Sequence, residues 1–584
     1  MPPKPGSNIR RRLGYDRAKP PESSTDQVLK GFLKKGKLQA TEVQDLSAKM
    51  VQNGDKSMLV NKCSAAGGGS QKKNMARDVM RAATKDSLKP DVYSTTCTFW
   101  DSATNSKIED EIHTLIPYES IDNQVGDDGN IDDWCSLRPD HPLRQVKQDW
   151  MEEQGVPGDG EDVGLVGIWG DAAPFHTRDA LYLVLINIIS GIFHQRFWVA
   201  CFPKRMTCQC GCFGRCTFAS IWRLLTWVFT SWMTGDYPDI RDDGIPFADS
   251  HRPGDQKRAK WGKSKRRMKF RAAPVQKRGD WSWHKQCLNM TGWKPEGALK
   301  RLCFKCLANA TTIPFTDPSQ NALWRQHRLT HEVYIQLCFL SGCFVSELFN
   351  IPGFKLDFIS IDLMHTGNLG IDLYLIANVI WELIHEMGAT AKTMGQTLAD
   401  FMMMVKTASK VLKQDDPPVN TLTPGMLKQS GKSPKARLKA AESRRFLPCL
   451  KYILERYFNQ DTPHKELRYQ CVKSLNDMYQ GLRDAAPGHK VAKLGRQHLL
   501  LYAELGKEAL RTGAHLEAGW VFWRWYPKHH LFSHCIEDQL LYSGNPIDHW
   551  CYWDESSIGD CVKVAETCHP SSLHRSIIDK HRID

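Results

Sequence analysis

Two apolar segments in close succession, "GLVGIWGD" ending at 171 and "ALYLVLINIISGIF" at 180–193, most constrain what this chain can fold into. The second falls short of the roughly 20 residues that span a bilayer, so it reads as a buried strand or helix. The first reads as a strand that ends in an acid. With 584 residues and 41% hydrophobic content, the chain can bury a sizeable core, as about two to four domains or as one domain with large insertions. No membrane partner is expected. The basic start, "MPPKPGSNIRRRLGYDRAK", has no apolar stretch behind it and is no secretory signal, so the chain should stay inside the cell. Nineteen cysteines then imply free thiols and a few metal ligands rather than a disulfide framework.

Residues 1–90 are rich in Lys, Gly, Ser and Pro, with "AAGGGSQKKN" as a flexible tract, and are expected to be a disordered basic tail. Residues 91–162 turn acidic ("SIDNQVGDDGNIDD", "VPGDGED") and are expected to be a loop-rich lead-in, with order beginning near Val163. The tryptophans of "IWRLLTWVFTSWM" at 221–233 have helical spacing and read as core. In "KRAKWGKSKRRMKFRAAPVQKR", 257–278, eleven of twenty-two residues are Lys or Arg and none is acidic. Such density is costly to fold against itself and is readily satisfied by phosphates, so Lys257, Arg258, Lys260, Lys263, Lys265, Arg266, Arg267, Lys269 and Arg271 are candidate DNA contacts. A solvated loop or a nuclear import signal reads equally well.

Four acids close or follow apolar segments: Asp171, Asp280, Asp362 and Glu555. Singly, each reads best as a turn or cap residue. Together they form the raw material of a two-metal site, which needs about three carboxylates from separate parts of the chain. In "FISIDLMH", Asp362 and His365 are either a ligand pair or a buried strand end. Cys303 and Cys306 with His327 and His331 have the spacing C-x2-C-x20-H-x3-H and form a candidate zinc site. Cys208, Cys210, Cys212 and Cys216 are crowded for one tetrahedral ion, and a reduced loop fits them as well.

The order of several motifs resembles the CACTA-type (En/Spm-like) DDE transposases. They are "WGDAAPFHTRDALYLVLINI", "RGDWSW" followed by "CFKC", "IDLMHTGNLGIDLYLIANVIWELI", and "WYPKHHLFSHCIEDQLLYSGNPIDHWCYWDE", over about 163–580. The resemblance implies an α/β fold: an RNase H-like mixed sheet flanked by helices and interrupted by large insertions, with a largely helical C-terminal half. It divides the ordered chain into a catalytic core at 163–372, a helical insertion at 373–520 and a C-terminal catalytic segment at 521–584. It implies Asp171, Asp280 and Glu555 as the catalytic carboxylates, with Asp362, His365 and Asp554 as accessory residues and Asp554 as the alternative to Glu555 for the third acid. It also implies a magnesium or manganese cofactor, transposon-end and target DNA as partners, a homo-oligomer, a nuclear location, and strand cleavage and transfer as the reaction. A catalytically inactive, transposon-derived nucleic-acid-binding protein is the alternative.

Overall fold

A computed structural model describes residues 24–34, 40–65, 79, 83, 89–126, 129–176, 179–192, 195–288, 303–340, 344–388, 393–427, 433–512 and 521–583. Most of the Gly-rich tract and the basic start lie outside them.

The two apolar segments become adjacent strands. β3 (Val163–His176) and β4 (Asp179–Ile188) pair antiparallel, with Asp171 opposite Leu183. Successive side chains on a strand point to opposite faces, and both faces of β4 are buried, so an unbroken apolar run is what this position demands. Leu181, Leu183 and Leu185 pack on one side with Trp169, Cys551, Ile558, Cys561 and Ile577. Tyr182, Val184 and Ile186 pack on the other with Ile221, Trp222, Leu225 and Trp232 of the helix Arg215–Thr234. The tryptophan stripe is therefore core. Its partner layer across the sheet is the C-terminal pair of helices, Tyr552–Ala565 and Leu573–His581.

Among the described residues, six strands form one sheet in the order β1-β2-β5-β4-β3-β6. β1 (Tyr93–Asp101), β2 (Ser106–Thr114) and β5 (Arg196–Pro203) complete the antiparallel part. β6 (Arg271–Arg278) alone runs parallel, beside β3. Beyond β6, Ile359 forms a further parallel bridge with Lys277, so the 359–361 segment continues the sheet's direction. Helices dominate from Asp372 onward, including Asp372–Met387, Met394–Val411, Ala440–Tyr457, Pro463–Arg483 and Gly488–Thr512. The mixed α/β character and the largely helical C-terminal half thus match the expectation.

Three expectations need correction. Order begins well before Val163: Tyr93, Thr95, Cys97 and Phe99 alternate inward along β1, a period-2 pattern that the surrounding acidic residues obscure. Part of the supposed tail, Ser24–Lys34, Ala40–Gln52 and Met58–Ser64, is helical, and its Leu29, Val43 and Val60 pack with Ile583. The basic run is not one exposed loop. Its second half is the buried strand β6, where Arg271 pairs with Asp162. Its first half is the helix Asp255–Lys263, on which Arg258 is buried and bonds Glu119 at 2.7 and 3.0 Å and Asp255 at 3.2 Å. Acids of the lead-in therefore neutralise part of the charge assigned to DNA. Lys260, Lys263 and Lys265 stay exposed, whereas Arg266 lies over Tyr237 and Trp261 and Arg267 pairs with Asp236 at 2.8 Å.

This division predicts opposite outcomes for neighbouring cations. Arg258→Ala leaves the buried Glu119 carboxylate uncompensated, while Asp255 keeps Arg241, and should cost about 3–5 kcal/mol, whereas Lys260→Ala should stay within about 0.5 kcal/mol, as read by urea unfolding.

Candidate active site

Period 2 puts Trp169 and Asp171 on the same face of β3, the face covered by the C-terminal helices. Trp169 enters the core there. Asp171, two residues on, lies beyond the last β3–β6 pair, Trp169–Arg278, and accepts from the Ala172 amide at 2.6 Å. The helix Tyr552–Ala565 crosses at that point and brings Glu555 from its first turn. Ligand atoms of Asp171, Glu555 and His365 all lie within 4.8 Å of one another. Asp280 follows β6, which runs parallel to β3 with Trp169 opposite Arg278, so it leaves the sheet at the same end as Asp171. It caps the helix Trp281–Cys287, accepting from the Trp283 amide at 2.6 Å. A cavity of about 300 Å³ opens here, lined by Asp280, Asp362, His365 and Lys528 among others.

Asp362 answers the question its sequence posed. It is buried, and the residues before it form only an isolated bridge rather than a full strand. One oxygen accepts from His365 twice, from the backbone amide at 2.9 Å and from Nδ1 at 2.7 Å. The other accepts from the Cys551 amide at 2.9 Å, at the entry of the helix that carries Glu555. His365 is the second residue of a π-helical turn, Met364–Ile371, and such turns are rare and frequently sit at functional sites. Lys528 braces this turn by donating to the carbonyls of His365 and Leu369 at 2.8 and 3.1 Å.

The electrostatics reflect carboxylates held too close for all to ionise. Burial first, then the charges of Asp280 and Glu555, push Asp171 up to about 8. Burial likewise raises Glu555, whose nearest relief is His365. Burial alone would lower His365, but the bond and charge of Asp362, with Glu555 and Asp280 behind it, lift it to about 9. His365 is therefore an imidazolium at neutral pH, with Nε2 3.8 Å from Glu555 Oε1. That buried Glu555 oxygen has no hydrogen-bond partner, and the paired carboxylates of Asp171 and Glu555, with the charge of Asp280 nearby, suit a hard divalent cation.

Asp554 has a different role from the accessory one expected. It is fully buried and faces away, paired with Arg196 at 2.7 Å and Arg278 at 3.8 Å. One residue around a helix turns a side chain by about 100°, so only one of the two neighbouring acids can reach Asp171.

The candidate zinc set also changes. Cys303 and Cys306 meet His530 and His534, all four buried with ligand atoms within 4.8 Å, and not His327 and His331. Residues 305–307 pair with 327–329 through backbone, which leaves the His327 side chain exposed, while His331 packs on Phe349. His530 and His534 are four apart on the helix Pro527–His534 and so share one face. Cys306 Sγ lies 3.3 Å from His530 Nε2 and 3.4 Å from His534 Nε2. Asp538 holds the other nitrogen of His534 at 2.6 Å, the outer support that metal-binding histidines usually have. The H-x3-H spacing of 530 and 534 was the available signal, and it duplicates that of 327 and 331. Sequence offered no comparable signal for Lys528.

No protein-family model matches the chain, and no characterised protein matches it.

The crowding of charge has a measurable sign. An acid with an ordinary value of 3.8 and a folded value of about 8 binds a proton when folded and releases it on unfolding, so stability falls as pH rises through that window. Asp171→Asn should therefore raise the thermal midpoint at about pH 8 and change it little at about pH 4, in scans without added metal.

Proposed function

We propose that this chain is a transposase-like nuclease of the DDE type, acting on DNA by metal-dependent phosphoryl transfer. One observation carries the reading: Asp171 and Glu555, far apart in the chain, bring ligand atoms within 4.8 Å of each other and of His365, with the charge of Asp280 raising Asp171 further, an electrostatically unfavourable arrangement. Folding gains nothing from such an arrangement, and a bound dication would relieve it. The sheet order, an antiparallel run followed by parallel β6 and the Ile359 bridge, supports an RNase H-like core. The ordered motifs support the CACTA-like resemblance.

Asp171, Asp280 and Glu555 would hold magnesium or manganese. When bound, the metal supplies activation of water or a 3'-hydroxyl and stabilisation of the leaving oxygen. Asp362 keeps His365 protonated and oriented, and His365 Nε2 holds a positive charge beside Glu555. Lys528 fixes the backbone that presents His365. Lys260, Lys263 and Lys265 are suited to phosphates, which position DNA without reading its bases. Cys303, Cys306, His530 and His534 would hold zinc outside the reaction, joining the segment after the second acid to the helix that bears Lys528.

The test is a magnesium-dependent nicking assay on duplex DNA. Glu555→Gln should lower cleavage on the order of a hundredfold while leaving DNA retention at fixed salt unchanged. If the wild type retains DNA but never cleaves with either metal, the chain is the inactive, DNA-binding alternative.

A further inference from the structure

The loop between β5 and the tryptophan-rich helix holds "CQCGCFGRC", and the active site makes no use of it. Its cysteines are not crowded out of a common centre. The Sγ atoms of Cys208, Cys210, Cys212 and Cys216 all lie within 4.8 Å of one another. Cys210 and Cys216 are 3.9 Å apart, far beyond a disulfide of about 2.05 Å. Zinc–thiolate bonds of about 2.3 Å put the corners of a tetrahedron about 3.8 Å apart, close to that separation. Positive φ at Gly211, Phe213 and Gly214 curls the loop, a conformation that costs a non-glycine residue such as Phe213. The Gly214 amide bonds the Cys208 carbonyl at 3.1 Å and closes the turn. Lys107, on the β1–β2 hairpin, sits near Cys216 and Cys210 and supplies a cation beside what would be a doubly negative centre.

The geometry points to a four-cysteine zinc site formed by Cys208, Cys210, Cys212 and Cys216. Binding releases the four thiol protons to solvent and leaves four thiolates on the ion. The site pins the start of the Arg215–Thr234 helix to the hairpin that carries Lys107. It also fixes Phe213, which is 91% exposed beside a second cavity of about 590 Å³ lined by Lys204 and Arg205. Gln286 donates to the Phe213 carbonyl at 3.3 Å, so the loop is tied to the helix that Asp280 caps.

Zinc content of the full chain, purified under reductant and measured by elemental mass spectrometry, tests this. The wild type should carry about two zinc ions, and Cys210→Ser/Cys216→Ser about one. In a Cys303→Ser/His530→Ala chain about one ion should remain, with the strong thiolate absorption of cobalt on substitution. Unchanged zinc in the first variant overturns the proposal, as does zinc-free Cys303→Ser/His530→Ala protein or a native Cys210–Cys216 disulfide in the peptide map. Should the first variant fail to fold, the second decides alone. If only that second variant keeps its full zinc content, the reading of Cys303 and His530 fails and this one stands.

Discussion

The site depends on one buried carboxylate, Asp362. It bonds the His365 side chain at 2.7 Å and the Cys551 amide at 2.9 Å, so a single group sets both the positive charge of the site and the entry angle of the helix that brings Glu555. Isolating an ionised acid from water is costly, and three hydrogen bonds with a protonated partner offset it. These bonds hold Asp362 below the usual carboxylate range despite the burial that works against them. Without them, residue 555 is held against residue 171 by the packing of its helix on the sheet and the Asp554–Arg196 pair alone.

Around that pair the structure accepts electrostatic strain. Two acids have raised affinities for protons, first because they are buried and then because their neighbours are acids too. His365 partly balances them and occupies the position of a cationic counterweight between Asp171 and Glu555. Lys528 links this turn to the helix of His530 and His534, so order at the cysteine–histidine cluster and order at the carboxylates share one short piece of backbone. Clustering of perturbed groups of this kind is common at functional sites and rare where packing alone is at stake.

Much of this was legible in the sequence, for physical reasons. The apolar run of β4 announced a buried element, strand or helix, and the Trp spacing announced a core helix. Asp171, Asp280 and Glu555 stood out because each follows an apolar segment. Charge density misled: Arg258 and Arg271 resemble their exposed neighbours, and only the fold reveals Glu119, Asp255 and Asp162 as their partners. Repeated spacing misled too, since H-x3-H occurs at both 327 and 530, and two hundred residues of chain separate the cysteines from the pair they meet. The choice between Asp554 and Glu555 turned on helix phase, which adjacent letters do not show.

The proposed reaction requires that the carboxylates share divalent ions. The most direct measurement is anomalous diffraction from crystals grown with manganese and a duplex DNA end. Two manganese peaks about 4 Å apart are expected, bounded by Asp171, Asp280 and Glu555, with a phosphate against them. Manganese absent from those carboxylates while DNA occupies the cavity beside His365 would contradict it.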